Sequence, residues 1–377
     1  MNKMLISGRV LVAGLVMSGA AVAQAALYGD TPDAKHAWAV HDWHRPNPEK
    51  VAPAAAVGGA PSDAVVLFDG TAESFARNWC DEKGAPSKWK CSPEGYFYCE
   101  NDWKNGGSVF TRAKFGDCQL HIEYRHDPDN LVTNKGPQMR GNSGIFLMGN
   151  YEIQVLESYY TSPAFAGKPE FVANYADGQA GAVYAENPPQ VNPARKPGEW
   201  QVYDIVFHQP VWEGLRLVRP GSVTVLFNGV LVQDHWEMEG LTTHCVRRPL
   251  APHAKEDRLF LQDHGCVVQF RNVWYRPIPS RWANVTHSVL SGDENAVMAL
   301  RRETAAKLYA KIADPKAKKP ETLVALCEVI SYANESPYAD DFKALLKWWR
   351  AEKVKDDGWE KYVNGQLDVL RRNGMEF

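Results

Sequence analysis

The amino-acid sequence predicts a mainly β chain: a two-sheet antiparallel sandwich followed by a small C-terminal α-helical appendage. Two observations carry this expectation. Between Val65 and about Pro277 the apolar residues fall in short runs separated by turn residues, and after Ser280 the spacing changes to i, i+3, i+4, i+7. Short strands in succession without intervening helices fit a sandwich better than a parallel α/β sheet.

The elements follow in chain order. Residues 1–25 carry Lys3 and Arg9, then an apolar run from Val10 to Val16, then small residues ending Ala23-Gln24-Ala25. This is the pattern of a cleavable secretory signal, so a periplasmic or secreted protein is expected. No cysteine sits at the cleavage region to take a lipid anchor, and no later run is apolar enough to span a bilayer. Residues 26–62, rich in Pro, Ala and Gly, read as an extended arm. His41 and His44 in that arm are conceivable metal ligands, but docking of the arm on the main domain is the simpler reading.

Residues 63–279 form the strand domain. Gln119-Leu120-His121-Ile122-Glu123-Tyr124 alternates polar and apolar, as a strand with one wet face should. Asn228-Gly229 is the pair of a tight hairpin. In residues 280–377, Ala305, Leu308, Tyr309 and Ile312 make one helical face, Leu323, Leu326, Cys327 and Ile330 a second, and Phe342, Leu345, Leu346 and Trp349 a third. Pro315, Pro320 and Pro337 punctuate them. No catalytic constellation appears there, and a packing or partner-docking role is expected.

The 377-residue chain has a net charge of −3 and a pI near 6.4, which gives no reason to expect nucleic acid or an anionic membrane as partner. Its 13 Trp and 15 Tyr supply ring faces of the kind that stack on sugars, although most will be core. The 7 cysteines leave at least one unpaired. Cys80, Cys91 and Cys99 are close enough in sequence to invite a disulfide, and Cys327 is the expected buried free thiol.

The chemistry concentrates after the turn Arg140-Gly141-Asn142-Ser143-Gly144, in Tyr151-Glu152-Ile153-Gln154-Val155-Leu156-Glu157. On a strand, Glu152 and Gln154 share a face, and a bulge near Leu156 would return Glu157 to it. The plain alternative is an edge strand with solvated acids. Asn142 and Ser143 could offer an amide and a hydroxyl to a hydroxylated ligand, or form an ordinary turn. Gln262, Asp263 and His264 bring an amide, an acid and an imidazole together, with Arg271 on the next strand. A histidine oriented by a carboxylate is a competent base or metal ligand, while a loop histidine bonded to backbone is the bland reading. Tyr184 and Trp200, beside Gly-rich turns, suit the rim of a sugar cleft, or else the core.

The order Leu67-Phe68-Asp69-Gly70, Asn142-Ser143-Gly144, Tyr151–Glu157, Gly181-Ala182-Val183-Tyr184, Pro197-Gly198-Glu199-Trp200, Asn228-Gly229, Leu261–Gly265 and Phe270-Arg271-Asn272 resembles the 3-keto-disaccharide hydrolase family, formerly the domain of unknown function numbered 1080. The resemblance runs from about Val65 to Arg276. It implies a concanavalin A-like lectin/glucanase jelly roll with a cleft on the concave sheet, and an enzyme cleaving 3-keto-glycosides. A looser likeness to retaining endoglucanases, with Glu-x-Asp-x-x-Glu on a bulged strand, matches Glu152 and Glu157 but not Gln154. That mismatch puts ordinary double displacement in doubt.

A ketone at C3 acidifies the C2 proton, so a side-chain base can start an elimination that expels the C1 substituent, and water then adds. Glu152 and Glu157 are the expected acid and base, with His264 as alternative base. Asn142, Ser143, Gln154, Tyr184, Trp200, Gln262, Asp263 and Arg271 are expected to contact substrate. The sequence establishes no cofactor, although a divalent metal ion held by Glu157, Asp263 and His264 could act as electrophile. The rival expectations are a non-catalytic carbohydrate-binding module and a glucanase acting on unoxidised glycans.

Overall fold

A computed structural model describes residues 27, 29–100, 106–131, 136–278, 294–352 and 356–377. The expected signal segment, residues 1–25, lies outside the described residues. The chain divides into two compact units: residues 49–280, and residues up to 48 together with 281–377.

The first unit is the expected sandwich of two antiparallel sheets. The larger runs in the order β13 (Val230–Glu237), β12 (Ser222–Phe227), β9 (Gln201–His208), β6 (Cys118–His126), β17 (Val268–Pro277), β4 (Tyr96–Tyr98) and β3 (Lys90–Ser92), and β1 (Val65–Phe68) also pairs with β17. The smaller runs β2 (Trp79–Cys80), β5 (Val109–Thr111), β16 (Phe260–Leu261), β7 (Ser143–Leu147) and β8 (Tyr151–Val155). Two ribbons stand apart from both sheets: β10 (Val211–Glu213) with β11 (Arg216–Arg219), and β14 (Gly240–Leu241) with β15 (Arg248–Pro249).

Period-two patterning decides which faces meet. On β9, Gln201, Tyr203, Ile205 and Phe207 are buried while Val202, Asp204, Val206 and His208 are half-exposed. On β6, Leu120, Ile122 and Tyr124 point inward, and on the smaller sheet Val109, Ile145, Ile153, Val155 and Leu261 face them as part of one apolar core. Each such side chain contributes on the order of 1.5–3 kcal/mol. Asn228, at φ 52, and Gly229, at φ 80, make the expected turn between β12 and β13. A bulge in β17 between Arg271 and Trp274 puts Asn272 at φ 45. One short helix was not expected: α1 (Ala72–Asn78), started by the Thr71 side chain accepting from the Ser74 N–H.

Among the described residues, the second unit holds four helices, α2 (Glu294–Tyr309), α3 (Pro320–Tyr332), α4 (Tyr338–Ala351) and α5 (Asp357–Arg372). The second and third expected apolar faces are buried together, joined by Val363, Leu367 and Leu370 of α5, whose face sequence reasoning did not single out, while Ala305 and Leu308 of the first pack in another cluster with Val329 and Tyr332, and the partly buried Tyr309 and Ile312 touch both. Residues 27–48 complete this unit. Leu27, Ala37 and Trp38 are buried among the helices, the Leu27 N–H donates to Gln366 Oε1 at 2.6 Å, His44 Nε2 lies 2.7 Å from Glu328 Oε1, and the Tyr332 hydroxyl donates to Asp42. The arm was expected on the main domain. Only its later part is found there, where the Gly58 carbonyl accepts from Asn272 Nδ2 at 2.8 Å and Trp274 Nε1 at 2.9 Å. Cys80, Cys91 and Cys99, expected to be able to pair, are free thiols, and so is the buried Cys327.

Candidate active site

Strand register assembles the site on the outer face of the smaller sheet. Phe110 opposes Phe260, Phe260 opposes Phe146, and Phe146 opposes Glu152. The next neighbour is Tyr184: Ile153 bridges Val183, and the Tyr184 N–H donates to the Glu152 carbonyl at 3.1 Å. Residues directly opposite one another share a face, so one row crosses the sheet as Phe110, Phe260, Phe146, Glu152, Tyr184. The three phenyl rings stack at centroid distances of 4.8 and 4.2 Å, and the Arg258 guanidinium sits 4.6 Å from the Phe110 centroid.

The adjoining row is small and polar. Gly144 opposes Gln154, and the Gln262 N–H donates to the Gly144 carbonyl at 2.9 Å. The missing side chain at Gly144 makes room for the acid, because a Cβ built there would lie 2.2 Å from Glu152 Oε1. Glu152 is only 4% exposed, and burial pushes its carboxyl up to about 8. At neutral pH it is therefore mostly a protonated acid.

Beyond Glu152 a chain of polar groups leads to the surface. The Tyr184 hydroxyl lies 3.2 Å from that of Tyr175 and 3.0 Å from His244 Nδ1, and His244 Nε2 lies 3.1 Å from Cys245 Sγ. Burial raises the Tyr184 phenol above its ordinary value, and Tyr175 raises it further. Burial also lowers the His264 imidazole below its usual value, outweighing the opposing pull of Asp263. A cleft beside Tyr184 is lined by Glu186, Thr242, Thr243, Arg247 and Arg248.

Several expected site residues serve other ends. β8 stops at Val155, and no bulge returns Glu157 to the Glu152 face. Instead Glu157 Oε2 accepts from Arg140 Nε at 3.0 Å and pairs with its terminal nitrogen at 2.9 Å, while Oε1 accepts the N–H groups of Tyr159 and Tyr160. Its field reaches Tyr124 of the inner core, whereas burial alone raises the Glu152 carboxyl. The Ser143 hydroxyl donates to the Gln262 carbonyl at 2.7 Å. Asp263 accepts from the Gly107 and Gly265 N–H groups, which leaves it a loop-forming residue. Among the described residues no group of three or more His, Cys, Asp or Glu side chains could hold a metal ion, so Glu157, Asp263 and His264 are not gathered as ligands.

Arg271 and Trp200 belong to the other sheet. Arg271 opposes Glu123, donates to its carboxylate at 2.6 Å and lies 4.0 Å from the Trp200 centroid. Glu123 alternates with inward-facing Ile122 and Tyr124, so this group sits on the outer face of the larger sheet. Asn142, Gln154, Gln262, Tyr184 and Glu152 remain on the smaller sheet's outer face, and His264 follows Gln262 by two residues, within the electrostatic reach of His244. Sequence reasoning missed Phe110, Phe146 and Phe260, along with His244. Each phenylalanine stands at the wet parity of its strand, a signal that gains meaning only once the register aligns all three.

Residues 63–276 match the 3-keto-alpha-glucoside-1,2-lyase-like domain. A crystal structure of a candidate glycosyl hydrolase from Parabacteroides distasonis is 36% identical, with 63% of this chain and 94% of that one covered, at a TM-score of 0.54. A second such protein from the same organism is 18% identical, covering 61% and 100%, at 0.42. A β-glucanase of Bacillus licheniformis is 10% identical, covering 59% and 100%, at 0.27. No curated protein matches the chain.

Proposed function

Because this chain belongs to the 3-keto-alpha-glucoside-1,2-lyase-like family, we propose that it cleaves 3-keto-glycosides by elimination at C1–C2, followed by addition of water. The observation that carries the reading is a single carboxyl, Glu152, buried beside Tyr184, held in its protonated form by burial and packed into the space that the absent side chain of Gly144 leaves. In this scheme the neutral His264 imidazole takes the C2 proton, and the C–H electron pair becomes the enolate of the C3 ketone. The enolate then forms C1=C2 as the C1–O bond breaks, and Glu152 gives its proton to the departing oxygen. Water adds at C1, C2 regains a proton, and the net change is hydrolysis. Donors near the ketone oxygen would stabilise the enolate.

A double-displacement glucanase needs two carboxylates about 5–5.5 Å apart flanking the bond. Here Glu157, the second acid of the motif, is bound to Arg140. The test is to incubate the protein with a glucoside and with its 3-keto form, following aglycone release and enone absorbance. Release from the keto form alone, with transient enone, is expected. Equal release from both sugars, or none from the keto form, would overturn the proposal. We also take the protein to be exported, which cell fractionation would check.

A further inference from the structure

Past Gln154 the outer face of the smaller sheet runs into a cluster of neutral amides centred on Gln138. Gln138 Nε2 donates to Asn174 Oδ1 at 2.9 Å and to the Gly178 carbonyl at 3.0 Å, and its Oε1 accepts from Gln154 Nε2 at 3.2 Å and Asn142 Nδ2 at 3.4 Å. Two buried ends of the cluster, Asn142 Oδ1 and Asn174 Nδ2, have no hydrogen-bond partner among the described residues. Their identities are fixed by the backbone. Asn142 Nδ2 donates to the Gln138 carbonyl at 2.7 Å, and Asn174 Oδ1 accepts the Tyr175 N–H at 2.9 Å. The cluster therefore holds one spare acceptor and one spare donor, each unfavourable while unmet. Asn142 is only 4% exposed, so bulk solvent does not meet that demand.

The position ties the cluster to Glu152. Gln154 shares the outer face with Glu152, two residues along β8. The Tyr175 ring lies over Gly178, its Cε2 only 2.1 Å from where a Cβ would stand, and its hydroxyl reaches Tyr184 at 3.2 Å. Tyr175 is itself 43% exposed, so this edge of the cluster lies at the surface.

We infer that Asn174 and Asn142 form the subsite for the oxidised edge of the sugar, with Asn174 Nδ2 donating to the C3 oxygen and Asn142 Oδ1 accepting from the neighbouring hydroxyl. This rests on the keto-sugar reading above. A ketone oxygen only accepts, so a donor must meet it, whereas the hydroxyl of an unoxidised sugar can turn to either kind of partner. The same donor would hold the oxygen as charge builds on it in the enolate.

The test measures affinities for methyl glucoside and methyl 3-keto-glucoside in a Glu152→Gln background, where turnover is slow enough for binding to be read before the keto sugar is consumed. Asn174→Asp keeps the acceptor for Gln138 and Tyr175 but replaces the donor with a second acceptor. It is expected to weaken the keto sugar about tenfold or more and the glucoside less than about threefold. Asn174→Ala, which adds no charge, should shift preference in the same direction, and Asn142→Ala should weaken both ligands by about three- to tenfold. Equal loss of both ligands in the Asn174 variants, or no loss, overturns the subsite. Wild-type turnover of the keto sugar beside an unchanged preference in Asn174→Asp rejects only the subsite, while absent turnover beside an altered preference rejects only the elimination scheme.

Discussion

Glu152 and Glu157 have the same side chain and opposite situations, and the difference decides what each can do. Burial raises the Glu152 carboxyl from 4.5 to about 8, so folding favours its protonated form. The resulting stability is fully present below pH 4.5 and is lost as pH rises through about 8, at about 1.4 kcal/mol for each pH unit that separates the two values. Glu152→Gln should match the parent in urea unfolding near pH 5 and exceed it by a few kcal/mol near pH 9, with turnover lower by about 10²–10⁴. Parallel stability curves would contradict the burial argument. Glu157→Gln should leave Arg140 buried without its counter-charge, costing about 3–5 kcal/mol, yet keep turnover per folded molecule within about tenfold. A larger loss of turnover would return Glu157 to the chemistry. Parity alone made Glu152 and Gln154 legible as a pair. The fate of Glu157 was not, because it depends on a turn at Tyr159 and Tyr160 whose amides claim the carboxylate.

At the scale of elements, β7 and β8 matter through one absent side chain. Gly144→Ala would place a methyl 2.2 Å from Glu152 Oε1 and 2.8 Å from the Phe146 ring, so the carboxyl must swing out of its present pose. The expected outcome is a fall in kcat/KM of about tenfold or more, since small misplacements at a reacting centre cost heavily. The fold should survive, with a Tm lower by a few degrees, about 1 kcal/mol at this size. Unchanged kcat/KM would show that the acid does not work from this pose. Alternation made most of the long strands readable in the sequence. The short strands β2, β3, β4 and β16 carry too few residues to show a period, and they set which sheet each motif joins. This is why Arg271 and Trp200, credited to one cleft from the order of motifs, stand instead on the outer face of the larger sheet.

At the scale of the whole chain, the amino-terminal residues belong to the unit built from its carboxyl-terminal end. Trp38 and Ala37 fill the cluster formed by Val297, Ala305, Leu308, Val329 and Tyr332, and Leu27 joins the one around Leu323, Phe342 and Leu370. The helical periods were plain in the sequence, but nothing in a Pro- and Ala-rich segment says which surface will receive it, because its contacts depend on residues hundreds of positions away. Removing residues 27–48 would strip apolar cover from the helices and leave the sandwich's own core intact. Losing a buried tryptophan alone costs about 3–5 kcal/mol. Hydrogen exchange should therefore rise sharply in α3 and α5 of the shortened protein while β6 and β9 keep their protection, because separately packed units open separately. Turnover of the keto sugar should persist, since every group assigned to it lies within residues 49–280. Equal deprotection of β6 and β9 would mean that the arm supports the sandwich as well, and that the two units share one folding transition.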